Sequence, residues 1–214
     1  VVLVAAEARP EIRLTLGTRF ELGGSWVVPA VVDWEVERPD LSFDVYFGSG
    51  PDILQRLEQG LLDAVITSAA VARQDWRVEF LHQEDYVFVA SPALLATTPF
   101  DRATDSQNHV LFDVDATLPL TRYLSSAAGA SWNFSDVRLC GTGDAMRQMC
   151  LAGRVCGVLP RYIAAEDLRD GTLVELFPGM TMLSDSFRLL FPQHSPFAQQ
   201  LTEWAQYLRA RPLT

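Results

Sequence analysis

The sequence predicts an α/β fold made of two Rossmann-like lobes in one chain. Three observations carry this. Strand and helix patterns alternate from Ile12 to Thr67. The same strand–helix–strand–helix–strand order returns between residues 110 and 159, with no accompanying sequence repeat. The chain has 214 residues, 49% of them apolar and 21% charged. A chain of that size buries about 70% of its unfolded surface, enough for two small cores.

Each element has its own signal. Ile12 to Thr18 alternates apolar and polar residues, which is a strand. Gly23-Gly24-Ser25 then leads into an apolar helix carrying Trp26, Val27, Ala30, Val31 and Trp34. Its Pro29 is tolerable only in a first turn, so the helix is expected to start after the glycines. Leu41 to Phe47 alternates strictly and gives a second strand. Ser49-Gly50-Pro51 opens a helix, Ile53, Leu54, Leu57 and Leu61 follow at helical spacing, and Gly60 stops it. Leu62 to Thr67 is a third strand, and this alternation implies parallel pairing with crossover helices. Tyr86 to Ala90 is a strand broken by Ser91-Pro92, and Pro99 to Asn108 reads as a surface loop with a short helix. Further strands are expected at Val110–Phe112, Ser135–Leu139, Val155–Leu159, Leu173–Leu176 and Phe187–Phe191. Helices are expected at Gly143–Ala152 and Arg161–Asp167, and Phe197, Leu201, Trp204 and Leu208 mark a closing amphipathic helix.

The composition removes several function classes. Net charge is −10, and all 17 basic residues are arginine. A surface of that sign does not replace the counterions of nucleic acid, so this chain is not expected to hold DNA by itself. Cys140, Cys150 and Cys156 have no CxxC spacing and do not cluster with His82, His109 or His194, so no metal and no cofactor is expected. Free cysteines and the lack of a secretion signal or spanning segment point to the cytoplasm, away from membranes. No nucleophile elbow, HExxH, P-loop or dinucleotide fingerprint is present, so the chain is not expected to be an enzyme.

Several stretches resemble one family in their order and spacing. They are Leu16-Gly17-Thr18, Val28-Pro29, Arg38-Pro39-Asp40-Leu41, Leu57-Glu58-Gln59-Gly60-Leu61-Leu62-Asp63-Ala64, Gly157-Val158-Leu159-Pro160 and Asp167-Leu168-Arg169-Asp170-Gly171-Thr172-Leu173-Val174. Together they resemble the effector-binding domain of LysR-type transcriptional regulators. The resemblance implies a fold similar to type 2 periplasmic binding proteins, with two crossover hinge strands. Residues 11–88 and 191–214 would form the first lobe, and 89–190 the second. Residues 1–10 would end a linker helix after a winged helix-turn-helix that this chain lacks, and DNA would be met only through that missing domain. It implies a homodimer or homotetramer paired through the first helix, so Trp26, Val27, Ala30, Val31 and Trp34 are candidate contacts.

The effector would be a small metabolite held at strand ends in a cleft between the lobes. Candidates in the first lobe are Thr18, Arg19 and Phe20, then Ser49, Thr67 and Ser68. Asp113 and Thr142 hold comparable positions in the second. Arg19 and the helix starts favour an organic anion. Ser49 and Thr142 also suit helix capping, and Asp113 suits a turn. The rival readings are a transporter's solute-binding protein and a small two-lobed enzyme.

Overall fold

The computed structural model describes residues 12–116, 119–125 and 132–213. The proposed linker end, residues 1–10, lies outside them. The chain divides into two compact units. One comprises the chain up to His82 together with Phe187–Leu213; the other is Gln83–Ser186. The sequence reading placed these exchanges at 88/89 and 190/191.

The first unit opens with β1 (Ile12–Thr18), and its helical layer begins at once with α1 (Phe20–Leu22), a π-helical turn (Gly23–Val27) and α2 (Val28–Glu37). The helix therefore starts before the glycines, not after them. Val28 N–H reaches Gly23 O, five residues back. Pro29 carries no N–H, so it is tolerated where the ladder returns to ordinary pitch. Gly23 is there for space: a β-carbon would stand 2.5 Å from both Phe47 Cε1 and Thr18 Cγ2. After β2 (Leu41–Phe47) come α3 (Gly50–Glu58), β3 (Ala64–Thr67) and β4 (Trp76–Glu84). The sequence reading missed β4, an edge strand whose Val78 and Phe80 stay exposed.

The second unit contains β5 (Tyr86–Ala90), α4 (Pro92–Thr97), a 3-10 turn (Ala103–Asn108), β6 (Val110–Asp113), α5 (Thr121–Ser125), β7 (Asp136–Leu139), α6 (Gly143–Leu151), β8 (Cys156–Pro160), α7 (Arg161–Asp170) and β9 (Val174–Glu175). Helices α4 and α5 were not anticipated. β10 (Asp185–Pro192) and α8 (Ala198–Ala210) then return to the first unit.

The two sheets have the orders β2-β1-β3-β10-β4 and β7-β6-β8-β5-β9. In the first, β1 is parallel to β2 and β3, and β10 is antiparallel to β3. In the second, β6 is parallel to β7 and β8, and β5 is antiparallel to β8. Two α/β units of one topology thus share the chain, as the sequence reading expected.

The family-like stretches serve this scaffold. Asp63 Oδ2 accepts from Thr15 N and Thr15 Oγ1, each at 2.7 Å, pinning the entry of β3 to β1. Arg38 forks onto Asp40 at 3.0 Å twice and reaches Glu203 of α8 at 2.6 Å. Gly171 ends α7 in the left-handed region (φ 72°), and Asp167 binds Arg147 at 2.5 and 3.0 Å. Trp26, Val27, Ala30, Val31 and Trp34 are buried in the first unit itself. Trp26 Nε1 donates to Pro212 O at 2.9 Å, and Trp34 packs on Trp204 and Tyr207. The apolar residues this helix exposes are Val32 (57%) and Val36 (80%).

Candidate functional site

Parallel strands end on a common edge, so each unit gathers its strand ends and the following turns there. In the first unit that edge carries all six expected residues. Thr18 and Thr67 are fully buried, and Ser68 nearly so. Thr18 stands in register with Phe47 and with Ile66. Thr67 Oγ1 accepts from Ala69 N at 3.1 Å, which leaves its O–H to donate. Phe20 is exposed and stacks on Phe47 at 6.1 Å. Arg19 is half-buried at the helix entry (φ −77°, ψ 158°), and its guanidinium makes no ion pair among the described residues. Ser49 is exposed, and its Oγ accepts from Asp52 N at 3.4 Å as the cap of α3.

The second unit's edge is more committed to its own structure. Asp113 is buried, and its carboxylate is surrounded by donors. Oδ1 accepts from Val114 N (2.7 Å) and Leu120 N (2.8 Å). Oδ2 accepts from Thr121 N (3.1 Å) and Thr121 Oγ1 (2.7 Å). The side chain therefore braces the turn before α5, and a ligand amine would have to displace those bonds. Thr142 caps α6, accepting from Ala145 N at 3.2 Å. On α5 itself, Tyr123 stacks on Tyr86 at 3.8 Å and donates to Asp185 at 3.0 Å. Arg122 donates to the Tyr123 hydroxyl. Burial, and then the nearby Glu84 carboxylate, push the Tyr86 hydroxyl above its ordinary range.

Cys140, Cys150 and Cys156 are thiols and not disulfide partners of one another. Burial pushes Cys150 up to about 12 and raises Cys156 as well, so both thiols stay protonated near neutrality. Half-buried Cys140 lies within 3.4 Å of Asp113 O and 3.5 Å of Thr142 O. Among the described residues, no group of three or more His, Cys, Asp or Glu is placed to hold a metal ion, and no helix is long and apolar enough to cross a membrane.

One basic residue on the first unit's edge escaped the sequence reading. Arg188 lies opposite Thr67 in β10 and donates to Ser68 O at 3.1 Å. Its neighbours Phe187, Leu189, Leu190 and Phe191 are all buried. A charge inside the apolar run Phe187–Phe191 was the available signal.

The LysR substrate binding domain family matches residues 7–212. The chain belongs to that family. It is the effector-sensing domain of a LysR-type transcription regulator, and the transporter reading falls away because the matches are regulators. It is 24% identical over 191 residues to the HTH-type transcriptional regulator ArgP of Vibrio parahaemolyticus, a match covering 80% of this chain and 58% of that relative. The chain thus spans little more than half of that relative's length. Among solved structures, the C-terminal domains of a LysR family protein from Agrobacterium tumefaciens superpose with a TM-score of 0.77 at 21% identity, covering 93% of this chain and 95% of that one. The CrgA regulatory domain, a LysR-type regulator from Neisseria meningitidis, gives 0.72 at 15%, covering 92% and 97%.

Proposed function

We propose that this LysR-type domain senses a small organic anion at the first unit's strand ends, in the cytoplasm and without catalysis. One observation carries the reading. Arg19, a guanidinium without an ion pair among the described residues, stands on the same edge as the buried hydroxyl residues Thr18, Thr67 and Ser68, in a chain of net charge −10. A fork of N–H donors is the natural partner of a carboxylate. The net charge of −10 supports the reading that DNA is met through a part of the regulator other than these residues. A thermal-shift screen of metabolites tests the sensing role. Ligands that bind the native state raise its stability by about 2.7 kcal/mol at a hundred times Kd. Carboxylates are expected to give the largest shifts. Tight binding of a neutral or cationic metabolite, with no carboxylate active, overturns the anion reading.

We further propose a homodimer or homotetramer as the working assembly, with the partner copy meeting Val32 and Val36 of α2. The exposed Val137 and Leu139 of edge strand β7 form the complementary apolar surface. Light scattering should give a multiple of the 23.8 kDa chain mass. Val36→Asp should lower that mass with unchanged circular dichroism. A wild-type monomer, or a variant of unchanged mass, counts against this surface.

A further inference from the structure

We infer that the anion sensed by the first unit is an arene carboxylate, with its ring seated on the Phe20–Phe47 pair and its carboxylate held by Arg19. The inference rests on the sensing role proposed above and names the class of ligand. Register and chain order bring the parts together. Phe47 ends β2 level with Thr18, which ends β1. Arg19 and Phe20 follow Thr18 directly, and Arg19 is extended (φ −77°, ψ 158°) before the helical layer starts at Phe20. The Phe20 and Phe47 rings stack with centroids 6.1 Å apart and planes 26° from parallel. On the other side of β1, Thr18 pairs with Ile66, and Thr67 is the next residue of β3. Adjacent strands lie about 4.8 Å apart, so the backbones carrying Phe47 and Thr67 are about 10 Å from one another, with that of Arg19 between them.

The ring pair is held in place. A β-carbon on Gly23 would stand 2.5 Å from Phe47 Cε1 and 3.1 Å from Phe47 Cδ1, so the backbone of the helical layer backs the edge of the Phe47 ring. Phe20 lies against that ring and is itself 54% exposed. A lone exposed phenylalanine is ordinary. This one is propped by a second ring and follows an arginine that makes no ion pair among the described residues. It also shares its edge with the buried Thr18, Thr67 and Ser68. An aromatic face beside a guanidinium fits a ligand that is flat and apolar at one end and anionic at the other. An aliphatic acid would satisfy the guanidinium and leave the ring face wet. A neutral arene would do the reverse. Thr67 Oγ1 accepts from Ala69 N, so its O–H can donate to the carboxylate oxygen that Arg19 leaves.

The test compares benzoate, phenylacetate and 3-phenylpropionate, each against the cyclohexyl acid of the same link, with propionate and 2-phenylethanol as further controls. Calorimetry should show at least one arene acid binding about threefold or more tightly than its cyclohexyl counterpart, since aromatic pairing adds to area burial. It should bind about tenfold or more tightly than propionate or 2-phenylethanol. Its ring protons should move upfield on binding, the mark of a stacked ring. Phe20→Leu, which keeps an apolar surface, should abolish both the preference and the upfield shift, and Phe20→Trp should keep both. Arg19→Gln should weaken arene and cyclohexyl acids alike, by about tenfold. Unliganded melting curves of the three variants separate these losses from misfolding. If cyclohexyl or aliphatic acids match every arene acid, or Phe20→Leu leaves the preference intact, this inference fails while the sensing role stands. Silence from all three arene acids also overturns it. If no carboxylate binds and a neutral or cationic metabolite does, both fall.

Discussion

Asp113→Ala should lower the stability of the second unit by about 3–5 kcal/mol, because several donors in and beside the core lose their acceptor together. The four bonds come from both ends of the segment that joins β6 to α5: Val114 on one side, Leu120 and Thr121 on the other. Alanine takes the Asp113 acceptor away from those N–H groups where water has little access. Asp113→Asn should cost less, since one amide oxygen still accepts while its NH2 group faces Thr121 badly. The check is hydrogen exchange on peptides spanning residues 110–125, with urea unfolding alongside. Unchanged exchange at Leu120 and Thr121 in the alanine variant refutes the brace, and a ligand role for Asp113 would then regain weight.

The other large effect lies in the first unit. Trp204 is fully buried on α8 and stacks at 5.5 Å on Tyr207, with Phe43 at 5.0 Å and Trp34 at 5.7 Å. Trp204→Ala removes the centre of that cluster and should cost about 3–5 kcal/mol. Trp204→Phe should cost much less. Its lost indole N–H is buried and has no acceptor among the described residues, so no hydrogen bond to them is sacrificed. Fluorescence can follow this selectively. Of the five tryptophans, Trp26, Trp34, Trp76 and Trp204 belong to the first unit, and Trp132 to the second. A loss of similar size in both variants would mean that the indole bond matters more than the packing.

Much of the scaffold was legible because its signals are local. β1, β2 and β5 were placed to the residue: the first two alternate with period two, and the third is a short apolar run bounded by polar residues. β4 was missed because an edge strand that leaves Val78 and Phe80 in solvent carries no inward stripe to recognise. The helix entry was misplaced because Gly23-Gly24 reads as a break. Gly23 instead answers a steric demand from Phe47 and Thr18, which are distant in sequence. The same limit governs the site. Thr18 and Thr67 end strands and Ser68 follows one, so their place at the edge was legible from position. Arg188 could not be, because its neighbours are set by the register of β10 against β3. The five apolar residues assigned to a partner surface pack inward, since periodicity names a face without saying what covers it. The family-like stretches hold the scaffold together through Asp63, Arg38 and Asp167, so they carry the fold and say little about the ligand.

The first sheet is not contiguous in the chain, and this bears on how the protein is made. β10 lies between β3 and β4, yet it is the last strand to be synthesised. As the chain leaves the ribosome, β1, β2 and β3 can associate early, but β4 has no neighbour to bind until more than a hundred further residues have emerged. Trp204 and the rest of α8 arrive later still. The second unit has all its strands by Glu175 and can close first. A nascent chain stalled before Asp185 should therefore hold one finished unit and one open sheet edge, the state in which chaperones have most to protect.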